Sequence, residues 1–96
     1  MSGLTRIRKA IRERRVAFSD HALEEMDDDA LTLSDIYDVL SHGRIRRTEV
    51  HDPRGSRYVV GDILGNGESV EAVCRFLASG VLLVITVYVV KEANDE

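Results

Sequence analysis

Apolar residues change their spacing once along this chain, near residue 43. Before that point they recur at helical intervals. Leu4, Ile7, Ala10 and Ile11 predict an amphipathic helix over 3–14, with Ser2 as its cap. Val16 and Phe18 predict a short extended link with both side chains turned to the core. Ser19 or Asp20 predicts the cap of a second helix, about 20–28, whose apolar face is Ala22, Leu23 and Met26. Acids in its first turn suit the positive end of the helix dipole. Thr32 and Asp35 stand at capping-box spacing before a third helix. Leu33, Ile36, Tyr37 and Leu40 form its stripe, and Gly43 is a C-terminal stop.

Beyond Gly43 the period becomes two. "RIRRTEV" (44–50) alternates, "HDPRGS" (51–56) reads as a turn, and "RYVVGDIL" (57–64) reads as a strand. "GNG" (65–67) signals a hairpin. In "SVEAVCRFLA" (69–78), Val70, Ala72, Cys74 and Phe76 fall on one face, with Glu71, Val73, Arg75 and Leu77 on the other. "VLLVITVYVV" (81–90) is apolar on both faces, which predicts an interior strand. Residues 91–96 read as a polar tail. The expectation is one α+β domain over 1–96, with N-terminal helices packed on a four-stranded antiparallel meander.

The bulk numbers limit this picture without naming a function. A chain of 96 residues with 44% hydrophobic content can build one small core. The single cysteine, Cys74, forms no internal disulfide and suggests a reducing, cytoplasmic setting. The N-terminus has no signal-peptide pattern, and the apolar run 81–90 is too short for a membrane helix. Net charge is −4, but it is unevenly spread. Residues 1–15 carry Arg6, Arg8, Lys9, Arg12, Arg14 and Arg15 against Glu13, and residues 16–43 carry eight acids and no Lys or Arg. Residues 44–57 are basic again, through Arg44, Arg46, Arg47, Arg54 and Arg57. This segregation suits a contact between opposite patches, as in a homodimer. It equally suits a local basic surface that meets RNA or an acidic partner.

Candidate chemistry is sparse. His21, His42, His51 and Cys74 lack metal-ligand spacing, and Asp27-Asp28-Asp29 lacks the alternation and Gly of a calcium loop. No metal or other cofactor is expected. "GDILGNG" joins strand to strand, so it is a turn and not a phosphate loop. Strand parity puts Glu71, Arg75, Thr86 and Tyr88 on the sheet face away from the helices, with Arg47, Arg57 or Tyr58 nearby. Such a set can hold a phosphodiester: Arg forks the phosphate, Tyr stacks on a base, and His or Glu moves a proton. Periodicity alone favours the plainer reading, in which these are ordinary solvent-side residues. A first-turn position faces the positive end of the helix dipole, which favours the neutral form of His21, and a neutral imidazole can accept a proton. A buried histidine bonded to a backbone carbonyl is the plainer reading there.

"FSDHALEEM", "LTLSDIYDVLSHG" and "RYVVGDILGNGESVEAVCRFLASGVLLVITVYVVKE" together resemble a widespread family of small bacterial proteins of unassigned function. The resemblance runs from about Leu4 to Glu92. Its marks are a Ser-x-His-Ala motif, a Met five positions after the His, a helix ending at Gly, an Arg-Tyr strand and a closing Thr-Val-Tyr strand. That family is similar to the BrnT and RelE/ParE-like toxins of bacterial toxin–antitoxin pairs, often encoded beside a small zinc-finger antitoxin. The resemblance implies a compact toxin fold, an antitoxin partner and metal-independent cleavage of messenger RNA, on or off the ribosome. Carried over by position, it implicates His21, Arg57, Tyr58, Thr86 and Tyr88. The sequence departs from the pattern where Glu25 and Asp29 replace common arginines and Ala30 replaces a glycine.

The expected reaction centre is therefore His21, Arg57, Arg75 and Tyr88. The expected RNA contacts are Arg44, Arg46, Arg47, Tyr58 and Thr86. The alternative is a non-catalytic module of the same fold that dimerises or binds a protein partner.

Overall fold

The computed structural model describes residues 2–50, 53 and 55–91. Residues 92–96 of the expected tail and most of the 51–54 stretch of the expected turn, with His51, lie outside the described residues. Three helices and five strands follow in the order α1 (Gly3–Arg12), β1 (Val16–Phe18), α2 (Asp20–Asp28), α3 (Leu33–His42), β2 (Arg44–Glu49), β3 (Arg57–Ile63), β4 (Ser69–Phe76) and β5 (Leu82–Val89). The class is α+β, with helices on a sheet. None of the described helices is long and apolar enough to cross a membrane.

Each helix is started by a side chain that accepts an orphan N–H. Ser2 Oγ accepts from Thr5, Ser19 Oγ accepts from Ala22, and Thr32 and Asp35 form a reciprocal capping box. α1 and α2 end on residues with left-handed backbone, Arg14 (φ 57°) and Ala30 (φ 55°). The following N–H groups turn back to the helix carbonyls, Arg15 to Ala10 and Leu31 to Met26. Gly43 caps α3 with an extended backbone. A Cβ there would stand 2.4 Å from the Val39 carbonyl oxygen and 2.6 Å from that of Gly61. Glycine is needed at this corner for close backbone approach, not for a left-handed turn.

The sheet corrects the expected four-stranded antiparallel meander. Its order is β1-β5-β4-β3-β2, and β1 pairs in parallel with β5 through Val16↔Leu82 and Phe18↔Val84. Val16–Phe18 is thus a strand, not a link. Three residues are too few to show a period, and their partner lies 66 positions away in sequence, as Val16 and Leu82 show. β2 to β5 pair antiparallel in sequence order. β1 covers only the first part of the β5 edge, and α2 continues beside the rest. Ser19 bridges the two, its N–H donating to Val84 and its Oγ to the Ile85 carbonyl at 2.6 Å.

One face of the sheet carries the core. Ile7 and Ala10 of α1, Ala22 and Met26 of α2, and Ile36, Val39 and Leu40 of α3 close over Val60, Val70, Ala72, Cys74, Leu82, Val84 and Val87. Val70, Ala72 and Cys74 are fully buried in the expected register, and Phe76 packs at the margin. Leu23 and Leu33, expected on apolar helix faces, are 46% and 51% exposed. Val39 takes the place in the α3 stripe that Leu33 was expected to hold. Burial pushes the Cys74 thiol up to about 12, so it is a core atom and not a nucleophile.

Candidate functional site

Two bulges shape the sheet face away from the helices. The β4–β5 register slips between Val73 and Cys74, so that Thr86 pairs with Val73 and Val84 pairs with Cys74. Ile85 is the extra residue. The β2–β3 register slips between Ile45 and Arg47, leaving Arg46 extra. Two rungs then cross the sheet on this face. One runs Arg47–Val59–Val73–Thr86, and the next runs Arg44–Gly61–Glu71–Tyr88.

Glu71 is the centre of this face. It is only 8% exposed, and its partners explain how a carboxyl group is tolerated there. The Tyr88 hydroxyl donates to Glu71 Oε1 at 2.6 Å. Arg46 Nη1 stands 3.5 Å from Glu71 Oε2, and Arg47 Nη1 stands 3.9 Å from Oε1. Gly61 makes the Arg46 contact feasible: a Cβ there would lie 2.6 Å from Arg46 Nε. Arg47 also reaches Glu49 at 3.6 Å, and Arg57 Nη2 meets Glu49 at 3.2 Å. Burial and the hydrogen bond to Glu71 raise the Tyr88 hydroxyl above its ordinary value. The Tyr88 hydroxyl beside Arg47 raises the guanidinium in turn. Tyr88 is thus a proton holder, and Arg47 is a fixed positive charge.

A second group sits where α2 meets β5. Thr86 Oγ1 donates to Glu25 Oε1 at 3.0 Å, and His21 Nε2 lies 3.7 Å from the same oxygen. The His21 side chain is 65% exposed. It stands in the first turn of α2, after the Ser19 cap. It is not the buried, carbonyl-bonded histidine of the plainer reading. No hydrogen bond or ion pair joins it to an arginine or tyrosine among the described residues.

The expected site residues therefore divide. Arg46, Arg47 and Tyr88 meet at Glu71, and Arg57 joins them through Glu49. Arg44 is exposed at the start of β2, and Arg75 is on the same face opposite Leu83, without an ion pair among the described residues. Thr86 belongs to the α2 contact, with His21 beyond it. Tyr58 is placed otherwise than expected. It alternates onto the helix side of β3, where its ring packs edge-on against Phe76 at 6.4 Å and against the backbone of Gly3. It cannot stack a base on the other face. Nor is that face open at its middle, because Val59 is fully buried and Val73 is nearly so. The register surrounds them with arginines, whose stems cover apolar surface while their heads stay in water.

Glu71 was expected on this face but not in the reaction centre, and Glu49 was not among the expected contacts. Strand parity already put Glu71 on the arginine side of the sheet, and that was the usable signal. Glu49 required the pairing of β2 with β3. Among the described residues there is no group of three or more His, Cys, Asp or Glu side chains able to hold a metal ion.

The fold and site together define a small α+β domain with helices on one sheet face and an arginine–carboxylate network on the other. The chain belongs to the family described as a domain of unknown function, DUF4258, whose sequence profile matches residues 18–89. No curated protein and no solved structure matches it.

Proposed function

We propose that this protein is a toxin-like, cytoplasmic RNA-binding domain of a bacterial toxin–antitoxin pair. Its reaction centre, where it cleaves RNA, is the Glu71–Tyr88–Arg47 cluster. The observation that supports this reading is the Tyr88 hydroxyl at 2.6 Å from a buried carboxylate that two guanidiniums flank. Positive charge and a held proton are what phosphodiester cleavage by a neighbouring 2′-hydroxyl requires. The Glu71 carboxylate takes the 2′-hydroxyl proton as the 2′-oxygen bonds to phosphorus and the 5′-oxygen leaves. Arg47 and Arg57 neutralise the charge that develops on the phosphate, and Tyr88 supplies a proton to the leaving oxygen. Glu71, protonated in that step, passes its proton to Tyr88 across their 2.6 Å contact and restores both groups. His21 stands aside from this centre and takes no step in it.

A specific observation favours a second reading, a non-catalytic module that binds a protein partner or a second copy. Arg46, Arg47 and Arg57 already have carboxylate partners, so a phosphate must compete with Glu71 and Glu49 for them. One experiment separates the readings. Purified protein is incubated with messenger RNA, with and without ribosomes, beside the Tyr88→Phe and Arg47→Ala variants. Cleavage that both substitutions abolish supports the first reading. Cleavage that survives both refutes the proposed centre. No cleavage, with tight capture of a co-encoded small protein, supports the second reading.

A further inference from the structure

Three cations without a carboxylate partner among the described residues share one cleft. It has a volume of about 180 Å³ and opens between α1 and the β4–β5 turn, lined by Arg6, Lys9, Glu13, Arg15, Phe76 and Gly80. Arg6 and Lys9 share one face of α1. Arg15 is brought back to that face by the left-handed backbone of Arg14, which ends the helix. Its Nη2 donates to the Ser79 carbonyl at 2.7 Å, and Gly80 leaves room for it: a Cβ there would stand 3.2 Å from Nη2. The Arg6 guanidinium lies over the Phe76 ring, 4.1 Å from its centroid. Both guanidiniums are therefore held by uncharged contacts. Glu13 lines the cleft but pairs with none of the three.

This arrangement is opposite to that of the sheet face, where Arg46, Arg47 and Arg57 each meet a glutamate. Like charges gathered without a paired counter-charge repel one another, and an anion relieves that cost. A second cleft, of about 330 Å³, continues from the first. It shares Arg6 and Phe76 and adds Ser56, Tyr58, Leu77 and Ala78. The two make a groove with a stacked guanidinium at its middle, which suits a chain with regularly spaced anions better than a single ion.

We infer that this groove binds single-stranded RNA by its phosphodiester backbone. Arg6, Lys9 and Arg15 take a phosphate in the first cleft, and the second receives the adjoining nucleotide. The inference rests on the RNA-binding reading and adds a track apart from the Glu71 centre. A guanidinium fork matches phosphate oxygens, and aromatic walls accept bases of any sequence.

The test is fluorescence anisotropy with a labelled single-stranded RNA, titrated over a range of salt concentrations. The proteins are wild type, Lys9→Glu, Lys9→Ala/Arg15→Ala, and Arg12→Ala as a control on the same helix outside the cleft. The Lys9 side chain is exposed and makes no hydrogen bond or ion pair with a described residue, so Lys9→Glu keeps the fold; circular dichroism checks it. Both cleft variants should bind about tenfold more weakly, and the salt slope should flatten by roughly 0.7 for each phosphate that the protein no longer neutralises. Arg12→Ala should bind like wild type. RNA bound equally well by wild type and both cleft variants overturns the groove and leaves the RNA reading standing. If wild type binds no RNA even at low salt, that reading falls. Amide NMR with inorganic phosphate and a nucleoside monophosphate then decides for the cleft alone. Shifts at Gly80 that Lys9→Glu removes keep it as a phosphate site, and no shifts overturn it.

Discussion

Tyr88 and Glu71 face each other across β5 and β4, hydroxyl to carboxylate at 2.6 Å, on a rung of the sheet that also holds Gly61. The pair is short because a charged acceptor strengthens the bond. It occurs in this place because Gly61, directly across from Glu71, leaves space for the Arg46 guanidinium above the backbone. Tyr88→Phe removes the donor but leaves the buried carboxylate. It should cost about 1–3 kcal/mol of stability, read as a lower urea midpoint with unchanged slope. Glu71→Gln removes the charge that Arg46 and Arg47 share. The double variant should cost clearly less than the sum of the two, since both act on one bond. Strict additivity would show that the pair contributes nothing as a unit.

Gly43 and Gly61 provide a second, sharper contrast. A Cβ at Gly43 would collide with two backbone carbonyl oxygens, while one at Gly61 would collide with the Arg46 side chain. A side chain can swing away and a helix end cannot. Gly43→Ala should therefore destabilise by about 3 kcal/mol or more, toward the upper end of overpacking costs. Gly61→Ala should cost about 1 kcal/mol and open the Arg46–Glu71 contact, visible as a changed Arg46 Nε–H signal by NMR.

How far these contacts were legible in the sequence depends on how local they are. The α3 start was readable from Thr32 and Asp35 alone, because a capping box spans four residues. The helix-facing register of Val70, Ala72 and Cys74 was readable from alternation. β1 was not, since three residues carry no period and the pairing to Leu82 is long-range. Tyr58 was misplaced because Val59 and Val60 are both apolar, which hides the side each residue of β3 takes. Both bulges, at Arg46 and Ile85, change the pairing without changing composition. The exposure of His21 follows from where α2 lies beside β5, which no spacing rule encodes.

Ala30 has a left-handed backbone, φ 55°, at an exposed helix end. A left-handed L-residue costs about 1–2 kcal/mol, and glycine gives part of that back through unfolded-state freedom. Ala30→Gly should thus stabilise by roughly 0.5–1 kcal/mol net, raising Tm by a few degrees. A lower Tm would mean that the Ala30 methyl makes a contact of greater worth than the strain.

Alkaline pH should unfold this protein through Cys74. The thiol, on β4, is buried in the core beneath the helices, and its hydrogen-bond partner among the described residues is the Tyr58 carbonyl at 3.7 Å. Burial raises it from 9.0 to about 12 in the folded chain. The folded state therefore holds a proton that the unfolded state releases between those values. The stability that this provides is complete below pH 9 and falls as pH rises toward about 12. At the top of that window the loss reaches about 4 kcal/mol, a large share of the stability of a small domain. Tyr88 is raised in the same direction and adds to the decline above its ordinary value of 10.0. Cys74→Ala removes the thiol while keeping a small apolar group in the core. It should lower stability at neutral pH through poorer packing, yet flatten the alkaline decline. Urea titrations at pH 7 and at pH 10.5, about midway through the window, check both halves. If the two proteins lose equal stability between those pH values, Cys74 is not the group that titrates, and Tyr88→Phe becomes the variant that must flatten the curve.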